Sequence, residues 1–112
     1  MKIDSVLTSD LHLAADDARK IEAAGFSGAW TSEVAHDPFL PVALAGGNST
    51  SLELGTSIAV ALARSPMTLA NVGWDLQSFT RGRFILGLGS QIKPHITRRY
   101  SCLLYTSDAA DE

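Results

Sequence analysis

Residues 52–70 read LELGTSIAVALARSPMTLA, and this stretch decides the fold. Its first part, Leu52 to Val60, is mostly apolar, as a strand covered on both faces should be. Ser65-Pro66 then opens a helix, with a serine placed to cap it and a proline where a missing N–H costs nothing. Leu69, Val72, Leu76 and Phe79 follow at three- and four-residue spacing, which is one face of a helix, and Gly82 supplies the stop. The next strand is Arg83 to Leu88, RFILGL. A strand that passes through a helix before the next strand is predicted to lie parallel to it, with a right-handed crossover.

The same unit repeats upstream. Residues 2–8, KIDSVLT, place Ile3, Ser5 and Leu7 on one face of a first strand. Thr8 or Ser9 is positioned to cap a helix carrying Leu11, Ala14, Ala15, Ala18 and Ile21, which ends at Gly25. Residues 28–31, GAWT, form a short second strand, and Asp37-Pro38 opens a second helix that runs to Gly46-Gly47. Four strands alternating with helices make an α/β chain with a parallel sheet. An open doubly wound sheet and a (β/α)8 barrel both fit this spacing. A barrel needs eight strands and typically about 250 residues, whereas this chain offers about four strands.

Composition excludes several functions. The chain has 112 residues, 46% of them hydrophobic and 19% charged, which suits one globular domain. No apolar run reaches the roughly 18 residues of a membrane span, and MKIDSVLTSD lacks the order of a secretory signal, so the expectation is a cytoplasmic protein with no membrane partner. A net charge of −3, with Arg98-Arg99 too short to count as a basic patch, gives no nucleic-acid surface. His12, His36 and His95 sit on separate elements, so no metal site is expected. Neither a nucleophile elbow nor a P-loop is present. Gly87-Leu88-Gly89 fails as a dinucleotide fingerprint because Ile92 stands where the third glycine belongs.

Three phrases, GAWTSEVAHDPF, LELGTSIAVALARSPMTLA and GRFILGLGSQ, occur in this order one βα unit apart. Together they resemble the luciferase-like oxidoreductases, and most closely the F420-dependent branch. The resemblance covers residues 1 to about 100 and implies a (β/α)8 TIM barrel, of which this chain would be the N-terminal half. It also implies coenzyme F420 as cofactor, with FMN as the alternative, and a small organic substrate. The parent enzyme is expected to be a homo-oligomer. A function from another class, a half-barrel binding module without catalysis, stands beside this reading.

In a barrel the reacting groups gather at the C-terminal ends of the strands. After the first strand come only the hydroxyls of Thr8 and Ser9, read as helix caps. After the second come Glu33, His36 and Asp37. The resemblance implies that Glu33 and His36 are catalytic, although many relatives carry Asp-His adjacent at the positions of Glu33-Val34; Asp37 reads as a helix cap. After the third, Ser57-Ile58 matches a pair that forms a cis peptide against the cofactor ring in relatives. Arg64 either meets an anionic group or is an exposed helix-start arginine. After the fourth, Gly87, Gly89 and Ser90 are implied to approach the cofactor; tight packing at a barrel bend is the alternative for the glycines. Trp30 and Trp74 read as core residues.

The ending differs in kind. Residues 102–112, CLLYTSDAADE, hold the sole cysteine, Cys102, and three of the 12 acidic residues, without which the chain is formally neutral. They resemble translated sequencing-adapter DNA in one reading frame. The expectation is a barrel domain over residues 1–101 with a non-native tail over 102–112, catalytically inactive as a fragment.

Overall fold

The computed structural model describes residues 2–90. The tail at 102–112, Cys102, His95 and Arg98-Arg99 lie outside the described residues. The chain order is β1 (Asp4–Val6), α1 (Ala14–Ala23), β2 (Gly28–Thr31), α2 (Phe39–Gly47), β3 (Glu53–Thr56), β4 (Ala59–Val60), a 3-10 turn (Ala61–Ala63), α3 (Pro66–Phe79), β5 (Phe84–Ile85) and β6 (Leu88–Gly89). Strands β1-β2-β3-β5 form one parallel sheet in that order, and β4 pairs with β6 in a second, also parallel. The alternating βα pattern is therefore realised, with sequential strands as neighbours.

Register assigns the two faces. Ser5, Ala29, Leu54 and Phe84 stand side by side across the sheet. Ala29, Leu54 and Phe84 are buried, and they join Ala18, Ile21, Val42, Leu69 and Leu76 in one core between sheet and helices. The next row, Val6, Trp30, Gly55 and Ile85, points to the opposite face. There Val6 is 77% and Ile85 42% exposed. Trp30 is half-buried on that face, and its indole N–H donates to Asp4 Oδ2 at 2.9 Å.

Several boundaries differ from the sequence reading. Helix α1 begins at Ala14, and neither Thr8 nor Ser9 caps it; Leu13 stands at the cap without a side-chain bond. The preceding residues form turns instead, with Asp10 N donating to Thr8 Oγ1 and His12 N to Asp10 Oδ1. The predicted continuous strands 52–60 and 83–88 each break into two, with the cis Ser57–Ile58 peptide lying in the first gap and residues 86–87 in the second. Trp74 is 77% exposed and not core, since the α3 face that packs inward carries Leu69 and Leu76. The predicted helix signals at Asp37 and Ser65 hold: Asp37 Oδ2 accepts from Phe39 N and Leu40 N, and Ser65 Oγ from Thr68 N.

Two side chains tie the connections to the sheet. Glu22 on α1 accepts from Ser51 N at 2.8 Å, Leu52 N at 3.0 Å and Thr50 N at 3.0 Å. Arg83 donates to the carbonyls of Thr80, Leu52, Gly46 and Ser49 and to Ser49 Oγ. Helix α1 itself ends in a left-handed turn at Gly25 (φ 91°), where Phe26 N reaches Ile21 O.

The strand breaks depend on a close approach. Thr56 Oγ1 donates to Gly87 O at 2.8 Å and accepts from Gly87 N at 3.0 Å. A Cβ on Gly87 would lie 2.1 Å from Thr56 O, so no side chain fits. Gly87→Ala is expected to lower stability by about 3 kcal/mol. Gly73→Ala, in helix α3 with 3.7 Å to Leu86 Cδ2, should instead gain about 0.5–1 kcal/mol. Paired urea titrations check both.

The donors on Glu22, foremost Ser51 N, lower its pKa against the opposing effect of burial. Its folded pKa is thus below the unfolded one, so its contribution is present above about pH 4.3 and is lost as pH falls through the folded value. Stability measured from neutral into acid pH should fall more steeply in the parent chain than in Glu22→Gln.

Candidate functional site

Parallel strands bring their C-terminal ends together, and the loops leaving β1 and β2 share a cavity of about 430 Å³. Leu7 N donates to Trp30 O at 2.9 Å and holds the two exits in register. The wall is apolar at Val6, Leu7, Val34 and Ala35, and polar at Thr8, Ser9, Ser32 and His36. That size lies in the range of small-molecule sites, which are about 300–1,000 Å³. Apolar walls with a few hydroxyls suit a planar ring with polar edges. The exposed imidazole of His36 adds a ring nitrogen that can donate or accept a hydrogen bond.

Glu33 takes no part in that wall. Ser32 and Val34 face the cavity while Glu33 turns the other way and is 5% exposed. Its Oε1 accepts from Arg64 Nη1 at 2.6 Å and from Val60 N at 2.7 Å, and its Oε2 accepts from Arg64 Nη2 at 2.7 Å. The guanidinium also donates to Val60 O at 3.1 Å and lies 3.4 Å from Asp37 Oδ1. Its Cζ sits 5.0 Å above the Phe39 ring. Arg64 is accordingly no exposed helix-start arginine: its side chain is 14% exposed. Hydrogen bonding to Glu33 raises its pKa despite burial, so it stays charged throughout the working pH range.

The other predicted residues lie at the ends of the third and fourth strands and do not line this cavity. Ser57–Ile58 is cis, Ser57 N donates to Thr31 O, and Ile58 O accepts from Glu33 N at 3.1 Å. Ala59 N donates to Gly87 O at 2.8 Å, which joins the third and fourth strand ends. Gly89 packs on Ile58: a Cβ there would lie 2.0 Å from Ile58 Cδ1. Both glycines thus have a packing reason visible in the structure. Ser90 closes the described residues. The structure unites His36 with Ser32, Thr8 and Ser9, and places Glu33 and Arg64 behind them.

The sequence reading took Thr8 and Ser9 as caps and passed over Ser32 and Thr56; the available signal was their place immediately after strands. Among the described residues, no group of three or more His, Cys, Asp and Glu side chains could hold a metal, and no helix is long and apolar enough to cross a membrane.

Comparison with known proteins agrees with this fold. The model of the luciferase-like monooxygenases matches residues 3–110, and the chain belongs to that family. The uncharacterized protein Rv1360 of Mycobacterium tuberculosis is 56% identical over 101 residues, 90% of this chain and 30% of its own length. A second M. tuberculosis protein, Rv3520c, which carries the name of a coenzyme F420-dependent oxidoreductase, is 38% identical over 69 residues, 61% of this chain and 20% of its own. The crystal structure of monooxygenase RslO1 from Streptomyces bottropensis superposes with TM-score 0.84 at 19% identity, covering 98% of this chain and 39% of that one. The oxygenating constituent of 3,6-diketocamphane monooxygenase from Pseudomonas putida, a type II Baeyer-Villiger enzyme in complex with FMN, gives 0.75 at 19%, covering 82% and 27%. These folds resolve the two architectures in favour of the barrel. The chain spans about a third of the length of the relatives it matches.

Removing one member of a buried ion pair leaves an unpaired charge. Arg64→Ala and Glu33→Ala are each expected to cost about 3–5 kcal/mol, whereas the double variant Glu33→Ala with Arg64→Ala should cost clearly less than the sum of the singles. Chemical denaturation of the four chains measures the coupling.

Proposed function

We propose that this chain forms the N-terminal strand ends of an F420-dependent oxidoreductase that transfers hydride between the deazaflavin and a small organic molecule. The observation carrying this reading is the cavity at the ends of β1 and β2, with His36 and Ser32 in its wall and the Ser57–Ile58 end beside it. The similarity to Rv3520c favours F420. FMN is the second reading, because a protein of the same fold binds it.

The residues present fit a ring of this kind. Val6, Val34 and Ala35 offer apolar surface, and the hydroxyls of Thr8, Ser9 and Ser32 offer hydrogen bonds at its edge. F420, when bound, supplies the hydride chemistry at its deazaflavin carbon; the protein supplies orientation and electrostatics. His36 would exchange a proton with the substrate oxygen or the ring edge, and the apolar wall would exclude water. Ser57, Ile58, Gly87, Gly89 and Ser90 would shape the neighbouring wall. Glu33 and Arg64 belong to the same site but act from behind it. The parent enzyme would work in the cytoplasm as a homo-oligomer, with no nucleic-acid or membrane partner, and its substrate specificity would come from segments beyond those present here.

Titrating the chain with F420 and with FMN, followed by ligand fluorescence, tests this. The expected result is tighter binding of F420, weakened in His36→Ala, without turnover by the chain alone. Binding of FMN alone would favour the monooxygenase reading. Binding of neither, with stable association to another protein or to itself, would favour the binding module.

A further inference from the structure

We propose that Arg64 and Glu33 are a positioning pair for the cavity wall: the buried salt bridge locks the loop carrying Ser32 and His36 onto β4 before any ligand arrives. The inference rests on the reading of that cavity as the ligand site, and it removes both charges from contact with ligand.

Four observations carry it. The loop from Ser32 to Asp37 leaves β2 with little packing of its own, since Ser32, Val34, Ala35 and His36 are exposed. Glu33 is the buried exception near its start, and each carboxylate oxygen meets a separate guanidinium nitrogen, at 2.6 and 2.7 Å. The pair is anchored to backbone at both ends of one residue, because Val60 N donates to Glu33 and Val60 O accepts from Arg64. Asp37, at the far end of the loop, accepts from Phe39 N and Leu40 N and lies against the same guanidinium.

The loop is thus held near its start by Glu33, whose N donates to Ile58 O and whose carboxylate meets Arg64, and at its end by Asp37. A loop held in this way has already lost the freedom that binding would otherwise remove, which is preorganisation. Two parallel N–H to oxygen bonds fix direction as well as distance, which a lysine at position 64 does not supply. His36, three residues from Glu33 and one from Asp37, is bracketed by two side chains that the same arginine holds.

Hydrogen exchange of the ligand-free chain, resolved by peptide mass spectrometry, tests the proposal. In Arg64→Ala the Glu33 and Val60 amides are expected to exchange about a hundredfold faster. The Thr50, Ser51 and Leu52 amides, held by Glu22 at the other end of the sheet, should be unchanged. Millimolar guanidinium, but not ammonium, should restore slow exchange in Arg64→Ala, and Arg64→Lys should recover only part of it. If Arg64→Ala accelerates every peptide, Glu33→Gln decides, since it keeps the side-chain size and an acceptor for Val60 N. Its expected signature is local acceleration at residues 32–37 and 60. Uniform acceleration of all segments in Glu33→Gln, or none, would overturn the proposal. The pattern is read without ligand, so a chain that binds neither F420 nor FMN leaves this result standing.

Discussion

The Thr56 hydroxyl bonds both backbone groups of Gly87, and this contact sets the positions of the third and fourth strand ends. Because Gly87 has no side chain, β3 and β5 approach closely at their C-terminal ends, and both strands then break and re-pair as β4 and β6. The second short sheet carries Val60, and Val60 receives the Glu33–Arg64 pair. The site wall is therefore linked back, through one backbone residue, to the closest approach in the sheet.

The two faces of the sheet behave differently for a simple reason. Helices cover one, and it buries Ala29, Leu54 and Phe84; the other leaves Val6 and Ile85 exposed. In a closed barrel that second face is the interior. The chain covers 39% of RslO1, so the exposure matches the share of the barrel present. The cavity at the ends of β1 and β2 is lined by residues of the two loops that leave these strands.

Much of the fold was legible in the sequence. Ser65-Pro66 and Asp37-Pro38 marked helix starts because capping chemistry is local, and Gly25 marked a stop because a left-handed turn needs no distant partner. The strand breaks were less legible: the apolar run 52–60 looks continuous, and its interruption depends on contacts with residues 86–89, thirty positions away. Trp74 misled because a tryptophan in a helical stripe signals burial only if a neighbouring element covers it. His36 was put forward from the family resemblance and its place after a strand, and it stands in the cavity wall. Arg64 was ambiguous in sequence because its partner, Glu33, is 31 residues distant. The role of Ser32 was hidden by the alternation that sends Glu33 inward and its neighbours outward.

A crystal structure of the chain with F420 tests the central claim most directly, that the strand-end cavity is the cofactor-side site of a luciferase-like oxidoreductase. The account predicts the deazaflavin ring against Ser32, His36 and Ser57–Ile58, with Glu33 and Arg64 still paired and untouched by ligand. A ring bound elsewhere, or one that draws Arg64 away from Glu33 to meet it, would contradict it.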